Sequence, residues 1–460
     1  NIYKTYKQLL NEAVRFKSVS TDPKYLGEIE KMVSWLKNTF EDNSFKVKIL
    51  KSKEANPVVF AEYKVSSDLE TILIYGHYDV QPAEKSDGWM GEPFKLFEKG
   101  KKIYARGILD NKGQVLIHIA TAICLAKENK LKYNIKFLIE GNEETGNASL
   151  SSIMRKHKKE LACDVVLISD GEMANNGPTV EISLRGGFNS TLIYKTAKNN
   201  VHSGIFGGAI PNAAQELTKF LSKLYDKNNS VGFKEFYSDV DKVNKDQLNN
   251  NKSLLKGSED LAKLAGVQTL LTETGYDFFT QTGLRPTIQV TGIKSGYIDS
   301  GYANIVPATA EARINFRIVS SQDAKKVAET FKSFVKKNTP NYVEYTLSFG
   351  GLHNPIKIDT NNKYVKEIEK VLENVYGQKV ARKNVGGAIP FVADVKGILG
   401  ADAVLIPLGN EDCNMHGANE NFDLELIQKG LQFSSEFMCH SSKFYRPLWK
   451  TKTKVVKGQT

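Results

Sequence analysis

Cysteine is scarce in this chain. Its four copies, Cys124, Cys163, Cys413 and Cys439, form no CxxC pair and follow no regular spacing. A disulfide framework is therefore not expected, and a reducing cytoplasmic compartment suits the composition. Cys413 stands close to His416; a small buried residue is its expected role, with an extra metal ligand as the alternative. No apolar stretch approaches the roughly 20 residues needed to cross a bilayer, so no membrane anchoring is expected. The formal net charge is +11, yet no dense basic block interleaved with aromatics accompanies it. Scattered lysines on a solvated surface account for that charge, and a nucleic-acid partner is not expected. Internal repeats are absent. The chain begins at Asn1 with neither a Met nor a signal-like segment, which leaves room for a leader removed upstream.

What is present is an ordinary globular balance, 41% hydrophobic and 25% charged, over 460 residues. That length exceeds what one hydrophobic core usually supports, so two domains are expected. Helical apolar spacing covers 3–16, 26–40, 112–128 and 149–157, alternating with strand-like runs at 47–49, 58–63, 71–75, 135–139 and 165–168. This is an α/β layer pattern with a mostly parallel sheet. It changes near Val180. Strands at 187–195, 287–290, 311–319 and 342–349 and helices at 211–225 and 321–337 follow the ferredoxin-like order, strand-helix-strand-strand-helix-strand. Pro211 falls in the first turn of the first of these helices. The α/β pattern then resumes with a helix at 362–376, a strand at 403–406 and a helix at 424–439. The expected organisation is a first domain in two parts, 1–182 and 351–460, interrupted by an α+β domain, 183–350, that carries a polar insertion at 226–284. The Lys-rich tail 451–460 is expected to fray.

Four apolar runs stop at residues that bind metals. Ile72-Leu73-Ile74-Tyr75 leads to His77 and Asp79; Phe137-Leu138-Ile139 leads to Glu143 and Glu144; Val166-Leu167-Ile168 leads to Asp170; Val404-Leu405-Ile406 leads through a loop to His416. In open α/β sheets, ligands bind beyond the carboxyl ends of the strands. Each residue alone has an ordinary reading. Asp110, just before the helix at 112–128, would serve as an N-cap; Glu143-Glu144 would be a solvated acidic turn, and Asp170-Gly171 a simple turn. All of these ordinary readings holding at the ends of successive strands is the less economical account. Imidazole and carboxylate donors suit zinc, and also manganese or cobalt. Two divalent ions with two neutral histidines and three carboxylates would retain one positive charge to polarise a carbonyl and acidify a water. Asp79, two residues beyond His77 on extended chain, could accept the second ring proton. One of the paired glutamates would bind metal while its neighbour takes a proton.

Gly76-His77-Tyr78-Asp79-Val80-Gln81-Pro82, Asp110-Asn111-Lys112-Gly113, Glu143-Glu144-Thr145-Gly146, Ser169-Asp170-Gly171-Glu172 and His202-Ser203-Gly204 together resemble the M20 metallopeptidases, a family of dipeptidases, carboxypeptidases and amino-acid deacylases. The resemblance runs from about Tyr3 to Cys439. It implies a zinc-peptidase-like catalytic domain interrupted by a lid domain that commonly dimerises. It makes Asp110 the bridging ligand, with His77 and Asp170 completing one metal and Glu144 and His416 the other. Glu143 becomes the general base, Asp79 the orienter of His77, and His202 an oxyanion-stabilising group reaching the other subunit's site. Substrate contacts fall on Arg317, whose fork suits a carboxylate, on Asn304, and on Gly387 and Ala388 in a glycine-rich loop. A sheet-surface salt bridge is the alternative for Arg317. The Trp89 segment and the long insertion point to the dipeptidase branch. Ala388, where those relatives carry a hydroxyl, and Asn304, where they often carry Thr, depart from the pattern and leave the substrate open. Dipeptides or small peptides are expected, with N-acyl amino acids as the alternative and a catalytically silent homologue as the third reading. His118 is expected to pack in a helix, and His157, His353 and His440 to lie on the surface.

Overall fold

Runs of Val, Ile and Leu that are apolar on both faces can persist only where both faces of a sheet are covered. They build the centre of the first of two compact units in the computed structural model, which describes residues 1–147, 149–254, 261–263, 265–387 and 389–439. This unit comprises Asn1–Glu181, Ile358–Arg382 and the chain from Asp394 onward; the second comprises Ile182–Lys357 and Lys383–Ala393.

In the first unit the strands follow the order Lys46–Leu50, Val58–Tyr63, Asn134–Glu140, Thr71–His77, Val165–Ile168, Asp402–Leu405, Thr179–Leu184. The four at the centre are mutually parallel, and the outer pairings are antiparallel. Thr71 pairs with Asn134, and Ile72 and Asp402 both pair with Val165. The parallel strands thus start level, and their carboxyl ends lie along one edge. Helix Lys112–Lys127 is apolar all round and correspondingly buried on nearly every side. It packs against helices Ile2–Ala13 and Leu424–Met438. Within it, His118 lies between Ser169 Oγ (2.8 Å) and Ser434 Oγ (3.0 Å), and burial depresses its pKa to about 3, so the ring is a neutral packing group.

The second unit holds an antiparallel sheet in the order Thr287–Ser295, Thr309–Ile318, Gly186–Lys195, Glu344–His353. Alternate residues of Thr309–Ile318 are buried, the two-residue period of a sheet covered on one face. Helices Ala213–Leu221 and Ala324–Asn338 cover that face around Phe188 and Phe316, stacked at 4.3 Å between centroids, and Phe331. Chain order and strand order are those of a ferredoxin-like sheet. The first helix begins later than expected. Asn212 caps it by accepting from Ala214 N and Gln215 N, which leaves Pro211 ahead of the cap rather than in the first turn. His157 and His353 are half-buried. His440 and the tail 451–460 lie outside the described residues.

Candidate metal centre

His77 is the last residue of the strand Thr71–His77, and its side chain is fully buried. Its Nδ1 lies 3.0 Å from the Asp79 carbonyl oxygen and 3.3 Å from Asp79 Oδ1. Both neighbours only accept, so with an ion bound Nδ1 would carry the ring's one proton and Nε2 would present its lone pair to the cation. That Nε2 is 3.0 Å from Asp110 Oδ1 and 3.5 Å from Asp170 Oδ2. Buried as it is, it makes no hydrogen bond among the described residues. On the other side, His416 Nε2 is 2.9 Å from Asp110 Oδ2 and 3.2 Å from Glu144 Oε2. The donors form two groups, His77/Asp110/Asp170 and Asp110/Glu144/His416, each with its ligand atoms within 4.8 Å of one another. Asp110 belongs to both groups, through a different oxygen in each.

The electrostatics describe a pocket that wants cations. Burial alone would raise the Asp110 carboxyl, but the His416 and His77 rings hold it below the usual carboxylate range. Conversely, Asp110 and Glu144 raise the His416 ring to about 10, and Asp110, Asp170 and Asp79 keep His77 protonated against the cost of burial. Burial, then the Asp170, Asp110 and Glu144 carboxylates, push Glu143 up to about 8 against the pull of the His77 ring. In the ion-free chain, protons on the two rings offset this carboxylate cluster. A fully buried ring nitrogen facing two carboxylates, with one carboxylate common to both trios, fits a pair of divalent ions.

Asp79 is more than an orienter of the ring. Its Oδ1 accepts from Glu143 N (3.2 Å) and its Oδ2 from Glu144 N (3.2 Å) and Ser20 Oγ (2.7 Å), so it also shapes the glutamate turn. Gln81 Nε2 donates to Glu144 Oε2 at 2.7 Å. Asn111 accepts from His77 N at 3.3 Å and donates to Ser169 O at 2.7 Å, tying three ligand-bearing loops together. A Cβ on Gly113 would fall 1.7 Å from Ile108 O, so only glycine fits where the helix begins behind Asp110. Sequence reasoning did not single out Ser20, Gln81, Asn111, Arg106 or Glu420 for the site; Gln81, Asn111 and Arg106 stand inside or beside the motifs that carry the ligands. Cys413 is buried, and burial raises its thiol to about 12. It belongs to neither donor group.

The remaining named residues lie in the second unit. His202, exposed, pairs with Ile305 in the two-stranded ribbon Val201–His202/Ile305–Val306, and Ser203 N donates to Asn304 O at 2.9 Å. His202 and Asn304 are therefore neighbours. Arg317 is half-buried on the strand Thr309–Ile318, and burial lowers its pKa. No carboxylate pairs with it among the described residues, so the salt-bridge alternative finds no partner there. Gly387 is exposed, and Ala388 lies outside the described residues.

A profile of peptidase family M20/M25/M40 matches residues 73–440. The chain belongs to this peptidase family. It is an enzyme of amide hydrolysis, as its M20 membership implies. Among curated proteins, this M20 peptidase is 26% identical to the human Beta-Ala-His dipeptidase over 461 residues, covering 96% of the chain and 90% of the relative. It is 27% identical to the Cysteinylglycine-S-conjugate dipeptidase of Corynebacterium striatum, with 94% of each covered. Among solved structures, an M20 family metallo-carboxypeptidase from Sulfolobus solfataricus superposes with a TM-score of 0.83 at 29% identity, covering 94% of this chain and 98% of the other. The mixed α/β architecture with its mostly parallel central sheet is thus that of M20 peptidases. No helix among the described residues is long and apolar enough to cross a membrane.

Proposed function

We propose that the chain is a dinuclear metal-dependent dipeptidase that cleaves an amide next to a free carboxylate. The observation that carries this reading is Asp110, shared between two trios that each contain one histidine and one further carboxylate. Zinc fits the donor set best, with manganese or cobalt as fitting substitutes. His77, Asp110 and Asp170 would hold one ion and Asp110, Glu144 and His416 the other. Bound there, two ions polarise a carbonyl and lower the pKa of a water towards neutrality. The protein's own groups do the rest. Glu143, beside the ligands but in neither group, takes the proton of the attacking water and returns it to the leaving amine. Asp79 fixes the His77 tautomer and, through the Glu143 and Glu144 amides, the position of that base. Two relatives named as dipeptidases favour peptides over the N-acyl amino acids that the same centre could hydrolyse. Assaying the zinc-loaded enzyme side by side on dipeptides and on acetyl- and succinyl-amino acids tests this. Turnover confined to the acylated amino acids would reject the dipeptidase reading, and no hydrolysis of any substrate would reject an enzyme.

Arg317, a half-buried guanidinium without a carboxylate partner among the described residues, would receive the substrate carboxylate, with Asn304, Gly387 and Ala388 contributing to the same pocket. A hydrogen bond to a charged group is worth about 1.5–3 kcal/mol. Arg317→Ala should therefore raise KM for a dipeptide by roughly 10- to 100-fold with a smaller change in kcat. An unchanged KM would remove Arg317 from the substrate site.

The second unit is read as a lid that also dimerises. Its strand Thr287–Ser295 is an edge strand. It exposes Ile293 at 64%, and the loop after it exposes Ile298 at 87% and Tyr302 at 102%. Bare edges with large apolar side chains invite pairing with another copy. In that assembly His202 would stabilise the oxyanion in the other subunit's site. Sedimentation should return twice the chain mass, and a monomer at enzyme-assay concentration would remove both the dimer and that role. Four free cysteines are compatible with a reducing, cytoplasmic setting.

A further inference from the structure

Among the charged pairs of the first unit, Arg106–Glu420 is unusual in being almost wholly buried, with side-chain exposures of 4% and 0%. Burying an ion pair is costly unless every remaining donor and acceptor is used, so what this pair touches is informative. Glu420 Oε2 accepts from Arg106 Nη1 (2.8 Å) and Gly107 N (2.9 Å), and Oε1 accepts from Leu109 N (2.9 Å) and Asp110 N (3.0 Å). Arg106 Nη2 donates to His416 O at 3.1 Å and Pro82 O at 3.3 Å, and the guanidinium lies over the Trp89 ring at 5.3 Å. The carboxylate thereby grips the main chain of Asp110, the ligand common to both trios, and the guanidinium that of His416, which belongs to one.

The two trios are held differently. His77 is fully buried at the end of a central strand, with Asp79 behind its ring. His416 sits on a loop with its side chain 52% exposed and its backbone in the left-handed region at φ 61°. That conformation costs a non-glycine residue energy and persists only where the surroundings impose it. Packing constrains such a residue weakly; besides the contacts of its ring with Asp110 and Glu144, the bond from Arg106 holds its carbonyl. We propose that Arg106 is a positioning residue that sets the affinity of the His416 ion site selectively, while Glu420, through Asp110, positions the ligand common to both sites. This rests on the two-ion reading given above.

The test is calorimetric titration of the metal-free enzyme with Zn²⁺, with a thermal melt of each variant. Arg106→Lys keeps the positive charge but lacks the two separate Nη groups, one of which serves Glu420 and the other the Pro82 and His416 carbonyls. Glu420→Gln keeps the shape, but turns an amide NH2 towards N–H donors. Wild type should bind two ions. Arg106→Lys should bind the first ion as wild type does and the second about 10- to 100-fold more weakly, the loss typical of an outer-shell partner, whereas Glu420→Gln should weaken both. Their turnover should recover as zinc is raised, which a merely structural role would not produce. Wild-type affinity for both ions in either variant, or equal weakening of both in Arg106→Lys, would overturn the inference; so would loss of cooperative unfolding in both variants, which would make the pair a support of the fold. A wild type that binds no zinc would instead defeat the two-ion reading itself.

Discussion

Replacing Glu143 with alanine should abolish most turnover while leaving two ions bound. Glu143 belongs to neither donor trio, so its loss removes no ligand. What disappears is the group that accepts a proton from the attacking water and delivers it to the amine, a contribution of about 10²–10⁴-fold in rate. Its location suits the task. Burial and three neighbouring carboxylates hold it at about 8 in the ion-free chain, and two dications alongside would draw that value down, so the base is ionised at neutral pH. The fall should appear in kcat, with KM little changed, because the proton moves only as the transition state forms. Steady-state kinetics on metal-loaded Glu143→Ala, paired with elemental analysis, decides the matter. Near-normal kcat would assign the proton to another group.

Asp110→Ala should have the larger effect on binding. One carboxylate serves both histidines, Oδ1 facing His77 and Oδ2 facing His416 at 3.0 and 2.9 Å. Its removal leaves each trio with one ring and one carboxylate, and leaves no bridge between them. Both ions should weaken, each by more than the roughly 10- to 100-fold typical of losing an outer-shell partner. Activity should fall to background without added metal. Arg106→Lys should differ: a shared ligand affects both sites, a clamp on the His416 carbonyl only one. If Asp110→Ala still retained two ions after dialysis, the shared carboxylate would be a second-rank contact and the pairing of ligands would have to be redrawn.

Much of the centre was legible because parallel sheets impose a local signature. A run such as Ile72-Leu73-Ile74-Tyr75 can end only where the sheet ends, so the polar residue after it is placed at an edge by chain chemistry alone. Four such runs brought His77, Glu143, Glu144 and Asp170 to one place, and His416 after a loop. Asp110 was less legible. It lies before a helix, where capping is an adequate explanation, and its dual role shows only in the distances to two rings that lie far from it in sequence. The Arg106–Glu420 clamp was not legible at all, since the two are separated by 314 residues and a buried pair has no periodicity. The dual work of Asp79 was half visible: proximity to His77 follows from extended geometry, whereas the bonds from Glu143 N and Glu144 N need the folded turn. In the second unit, the strand order followed from alternation, but the helix start did not, because a capping Asn next to a Pro can be read either way.

Five acids and imidazoles gather the pair of cations, and counting ions tests this most directly. Metal-free protein, reloaded with zinc and dialysed, should carry two ions per chain by mass spectrometric elemental analysis, with activity rising in step with occupancy. Full activity with no bound ion, or with a single ion that survives Asp110→Ala, would contradict it.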